Sequence, residues 1–144
     1  MSALAAWRPR WLTAQALVLL CLARLLVALV PLRRWRERLG QGAGAEQGDL
    51  AAARMLAAHV ERAAWRLPFA TKCLPRAMAL SWLLRRRALA HTVVIAARPA
   101  AQRGDQDSLH AWVEIDGRIV LGELPGPWLR LAELGGKPVG AAGS

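Results

Sequence analysis

Leu109-His110-Ala111-Trp112-Val113-Glu114-Ile115-Asp116-Gly117-Arg118-Ile119-Val120-Leu121-Gly122-Glu123 is the stretch that decides the fold. Residues 109–115 and 118–123 are rich in apolar and β-branched side chains. The Asp116-Gly117 pair between them suits a two-residue hairpin turn, because both turn positions take positive φ. The stretch predicts two antiparallel strands. With a two-residue turn, Ile115 faces Arg118, Glu114 faces Ile119, Trp112 faces Leu121 and His110 faces Glu123. Directly opposed side chains leave one face with Cβ atoms about 4.5–5.5 Å apart. Glu123 is then the carboxylate expected to hold the His110 imidazole, orient its tautomer and stabilise the imidazolium. A bulge would shift the pairing by one, bring Gly122 opposite His110 and leave Glu114, two residues along the same face, as the acid. Asp116 belongs to the turn. Trp112 shares the face of His110, where it either screens the ion pair from water or packs as core.

A cysteine upstream gives that imidazole a role. After the break at Leu67-Pro68, a helix is predicted from Cys73, with Pro75 in its first turn and Arg85, Arg86 and Arg87 in its last, as helix geometry and its dipole prefer. The interior 74–84 is mostly apolar, which makes this the buried central helix. A strand over 91–97 and a polar loop over 99–107 follow. The fold can thus bring a thiol at a helix start against an imidazole on a strand, the layout of a cysteine nucleophile and its base. Free amides at the helix start and the charge of Lys72 both favour the thiolate. The Cys73 amide is the candidate oxyanion donor. The competing reading is a cysteine that is merely small and buried.

Outside this core, residues 125–134 are expected to hold a short closing helix, and 135–144 a loose tail. Asp49 can cap a helix whose apolar positions Leu50, Ala53, Ala57, Val60 and Ala64 recur at helical spacing. His59 lies in that helix with no partner at metal-ligand spacing. Residues 41–48 are rich in Gly, Ala and Gln and read as a linker between a catalytic domain over 49–134 and a basic, apolar helical appendage over 1–40. Residues 11–32 are long enough to span a bilayer. Arg24 near the middle charges insertion roughly 2.5–3.5 kcal/mol. Arg8 and Arg10 precede the run, and Arg33, Arg34, Arg36 and Arg38 follow it where a secretory signal would need a cleavage site. Trp7, Trp11 and Trp35 bracket it as interfacial anchors do. The segment is therefore a helix docked on protein, a helix lying in the membrane interface through 11–38, or a span.

The net charge of +10, from 20 basic against 10 acidic residues, favours acidic peptides, nucleic acid or anionic lipid. No zinc spacing, RNA-binding aromatic motif or phosphate loop accompanies it, so no nucleic acid, metal or cofactor is expected. Cys21 and Cys73 do not form a disulfide framework, which suggests a reducing, cytoplasmic setting.

Cys73-Leu74-Pro75-Arg76-Ala77-Met78-Ala79-Leu80, the Leu83-Leu84-Arg85-Arg86-Arg87 helix end, and His110-Ala111-Trp112-Val113-Glu114 before Asp116-Gly117 resemble the lasso peptide B protein. This family comprises leader peptidases similar to the C-terminal domain of the microcin-processing enzyme and, more widely, to the transglutaminase-like superfamily. The resemblance covers about residues 49–134, and the arginine-rich apolar N-terminus looks like the stand-alone form. It implies an α+β, papain-like or transglutaminase-like core, a central helix on a small antiparallel sheet, with a Cys-His-acid triad carried by Cys73 and His110. The family's acid is usually an aspartate after the histidine, where this chain has Gly122-Glu123. The resemblance also implies removal of the leader from a ribosomally made precursor peptide, delivered by a separate leader-recognition protein, before an asparagine-synthetase-like cyclase closes the macrolactam. Arg76, Trp112 and Glu114 are candidates for substrate binding, and the arginines for holding an acidic leader. A transglutaminase-like acyltransferase or amidase, and a non-enzymatic membrane-associated adaptor, are the rival expectations.

Overall fold

The elements run in the order α1 (Ala3–Leu29), α2 (Leu32–Trp35), α3 (Leu50–Arg66), α4 (Cys73–Arg86), β1 (Thr92–Ala97), β2 (Leu109–Ile115), β3 (Arg118–Leu121) and β4 (Leu129–Leu134). This is a computed structural model. It describes residues 3–35, 38–40, 49–69, 71–99, 109–123 and 126–135. The expected linker at 41–48 and all but Gly135 of the expected tail lie outside the described residues, as does most of the 99–107 loop.

The four strands form one antiparallel sheet in the order β3-β2-β1-β4. The hairpin turn is as the sequence predicts: Asp116 and Gly117 both take positive φ, 49° and 77°, and Ile115 pairs with Arg118. The register then departs from the expected count. After Glu114↔Ile119 the pairing shifts to Val113↔Leu121, leaving Val120 as an extra residue in β3. Such a bulge displaces everything beyond it by one position. Gly122 therefore lies beside Trp112, and the expected opposition of His110 and Glu123 is replaced.

Alternation along the strands gives the sheet two apolar faces. Val93, Ala111, Val113, Ile115 and Leu121 belong to the main core with the helices, whereas Val94, Ala96 and Trp112 form a second cluster with Ile119 and Trp128. In α4, Ala77, Met78, Leu80, Leu83 and Leu84 are fully buried. Its C-terminal reversal passes through Ala88 at φ 53°, and the Leu89 amide donates to the Leu84 carbonyl. Helix α3 starts where Asp49 accepts from the Ala52 amide at 3.0 Å.

The N-terminal segment is part of the main core. Leu12, Ala16, Leu20 and Ala23, spaced three and four apart, are buried with residues of α3 and α4, and Thr13 Oγ1 lies 3.0 Å from His59 Nδ1. Trp35 is buried too, its indole N–H donating to the Val30 carbonyl at 3.0 Å, so it is no interfacial anchor. The closing helix expected within 125–134 is instead the edge strand β4. Its apolar residues fit either period, and the unpaired backbone edge of β1 supplies hydrogen bonds that only a strand can take up.

Candidate active site

Cys73 opens α4. Lys72 occupies the N-cap position without a side-chain cap, so no side chain from that position takes up the first-turn amides. The thiol is half-buried and rests against the helix-side core. One turn on, Arg76 donates from Nε to Thr71 Oγ1 at 2.9 Å and from Nη1 to Glu61 Oε2 at 3.0 Å, tying the start of α4 to α3. Arg76 and Thr71 also line a pocket of about 370 Å³ with Trp65, Leu67 and Phe69.

His110, second in β2, is buried. Its Nε2 is hydrogen-bonded to the Gly122 carbonyl. A carbonyl only accepts, so Nε2 carries a proton, and in the neutral imidazole the lone pair is then on Nδ1. Gly122 can present that oxygen because it is glycine: φ is +90°, and a Cβ there would stand 2.9 Å from the Ala111 carbonyl oxygen. The imidazole packs against both Trp112 and Trp128, with ring centroids at 5.8 and 5.2 Å, and the two indoles also touch each other at 6.5 Å. Trp112 in turn donates its indole N–H to Glu114 Oε1 at 2.8 Å, and Arg130 Nη2 donates to the same oxygen at 2.6 Å. Glu133, 2.6 Å from Arg130, is the foremost cause raising the Arg130 pKa, with Glu114 adding to it.

The structure thus brings together His110, Trp112, Trp128 and Gly122, with Glu114 holding Trp112 in place. Neither carboxylate bonds the imidazole: Glu114 is engaged by Trp112 and Arg130, and Glu123 is exposed. Cys73 and His110 share no hydrogen bond among those of the described residues. His110 projects with Trp112 on the sheet face away from Ala111 and Val113, whereas the thiol packs on the helix side. Sequence reasoning missed the role of the Gly122 carbonyl and of Trp128. The one local signal for the first was the run Ile119-Val120-Leu121, which is apolar at three successive positions and so does not alternate as a regular half-buried strand does.

A family model described as the transglutaminase-like superfamily matches residues 16–135. The match starts inside α1 and takes in both halves of the site. This chain belongs to the transglutaminase-like superfamily. Members of this superfamily typically carry catalysis of the cysteine-protease or acyl-transfer type. No curated protein and no solved structure matches the chain.

The transglutaminase-like domain holds two further histidines, and both are structural. Ser81 Oγ lies 2.8 Å from His91 Nε2 and accepts from the Gly40 amide at 2.8 Å, while His91 Nδ1 donates to the Leu89 carbonyl at 2.9 Å. The arrangement resembles a serine–histidine dyad, but both side chains are sealed from solvent. Burial lowers the pKa of His91, and burial followed by the Arg62 and Arg87 charges lowers that of His59. Among the described residues no group of three or more His, Cys, Asp or Glu side chains is placed to hold a metal ion.

Proposed function

We propose that this transglutaminase-like protein is a cysteine peptidase that removes the leader from a ribosomally made lasso-peptide precursor. The observation that carries the reading is chemical. In a chain of this superfamily, a half-buried thiol sits at a helix start without a side-chain cap, and the imidazole on β2 already has its Nε2–H engaged, which makes Nδ1 the nitrogen that acts as base. Nδ1 takes the thiol proton as Sγ attacks the scissile carbonyl carbon, and the Cys73 amide receives the oxyanion. His110 then protonates the leaving amine. Water hydrolyses the thioester, with the same nitrogen as base.

In this mechanism the Gly122 carbonyl fixes the tautomer. Glu123, one residue on, adds carboxylate charge to the imidazolium as the site closes around the peptide. Closure is required, since thiol and imidazole lie on different sides of the sheet edge; catalytic contacts commonly tighten only with substrate bound. Chain direction supports it. The α4–β1 connection spans only residues 87–91, so β1 leaves from the C-terminal end of α4, and the Ala96–His110 rung near its far end lies toward the helix start. The precursor is delivered by a separate leader-recognition protein, the exposed arginines hold an acidic leader, and an asparagine-synthetase-like cyclase takes the released core.

The test incubates the full chain with recognition protein and precursor and follows products by mass spectrometry. Wild type is expected to yield leader and core, and Cys73→Ala or His110→Ala to lower the rate by about a thousandfold or more. Leader release by Cys73→Ala would overturn the peptidase reading. A product carrying an added amine in place of water would replace it with the acyltransferase.

A further inference from the structure

Helix α1 is apolar on two opposite sides, and the fold uses only one. At 3.6 residues per turn, Trp11, Val18, Leu22, Leu25 and Leu29 fall within an arc of about 60°. They are 47–77% exposed. Leu12, Thr13, Ala16, Leu20 and Ala23, all buried, lie on the opposite side, against α3 and α4. Between Arg10 and Leu29 the only charged residue is Arg24, and it turns off the exposed stripe to stack its guanidinium 3.8 Å over Phe69. The stripe is therefore an apolar band without a charge along its length, with Gln15 at its margin. Exposed cations mark its ends: Arg10 before it, and Arg33, Arg34 and Arg38 after it.

Arg10–Leu29 is long and apolar enough to cross a bilayer. Crossing would strip Leu12, Ala16, Leu20 and Ala23 from the core and pull Thr13 from His59. We infer instead that α1 lies in the plane of an anionic membrane surface, its exposed stripe among the acyl chains and its terminal arginines at the headgroups, while its buried stripe stays in the domain. Charge complementarity selects the lipid. Pairing two copies through the stripe would bring together the same arginine clusters on chains of net charge +10, whereas an anionic bilayer meets the apolar band and the cations at once.

Vesicle flotation of the full chain tests this. Binding to vesicles of phosphatidylcholine mixed with phosphatidylglycerol is expected to exceed binding to phosphatidylcholine alone by about tenfold or more and to weaken with salt. Leu22→Asp with Leu25→Asp is expected to reduce it by about tenfold or more with the melting temperature kept. Leu22→Gln with Leu25→Gln, which keeps better helix formers in place, should lose binding in the same way. An environment-sensitive dye on Cys21, in a Cys73→Ser chain, should shift to the blue with anionic vesicles. Alkaline carbonate should release the protein from cell membranes. Retention after carbonate would overturn the in-plane geometry. Equal binding to neutral vesicles, no flotation, or a solution dimer dissolved by Leu22→Asp would overturn the anionic surface as occupant.

Discussion

Gly122 acts on His110 through a backbone atom, so its side chain matters only by being absent. Gly122→Ala places a methyl group 2.9 Å from the Ala111 carbonyl oxygen at a φ of +90°, and is expected to cost about 1–3 kcal/mol while moving the carbonyl off the imidazole. Gly117 also has positive φ, 77°, but nothing lies within 4 Å of its Cβ position, so Gly117→Ala should cost about 1–2 kcal/mol and leave peptide cleavage unchanged. Denaturation curves together with cleavage rates separate the two. Full activity in Gly122→Ala would remove the carbonyl from the mechanism. The hairpin turn was legible because Asp-Gly chemistry leaves few alternatives. The acceptor for His110 was not, since residue types mark carboxylates and the direction of a backbone carbonyl is not written in them. One extra residue, Val120, was enough to break the count.

Among the elements, the tie between Gly40, Ser81 and His91 joins the segment after α2 to α4 and to the entry of β1. Ser81→Ala leaves the Gly40 amide and His91 Nε2 without their partner, with an expected loss of about 1–3 kcal/mol by chemical denaturation. The histidines also predict a pH dependence. Burial lowers the folded-state pKa of His91 and His59 below 6.5, so the unfolded chain binds protons that the folded chain refuses. Their contribution is full above about pH 6.5 and is lost as pH falls from there through the lower folded-state values. Denaturant midpoints should drop between about pH 7 and pH 5, and His91→Gln should flatten the slope if this burial is its cause. Helices α3 and α4 were readable from caps, Pro75 and the closing arginines. Strand β4 was not: a short segment with apolar residues two and three apart satisfies both periods, and its pairing with β1 is a long-range event.

At the scale of the whole molecule, α1 is a load shared by the core and not an attachment to it. Leu20→Ala, at a fully buried position, is expected to cost about 2–5 kcal/mol, whereas Leu22→Ala on the exposed stripe should stay within about 0.5 kcal/mol. Comparing the two denaturant midpoints tests the docking directly, and equal values would mean that α1 does not pack as described. The catalytic domain reads from the sequence as starting after residue 48, because composition cannot tell a bilayer helix from a core helix; both demand the same apolar residues. What separates them is which stripe meets α3 and α4, and that depends on the partners.

The aromatic cover of His110 has an optical consequence. The chain has seven tryptophans and no tyrosine, so its near-ultraviolet signal is almost wholly indole. Trp112 and Trp128 stand 6.5 Å apart with the imidazole against both. At that spacing the two chromophores couple, and any shift of the imidazole against them alters their dichroism and emission. The protein thus carries its own dye at His110, and stopped-flow emission can time the approach of a peptide with no label attached.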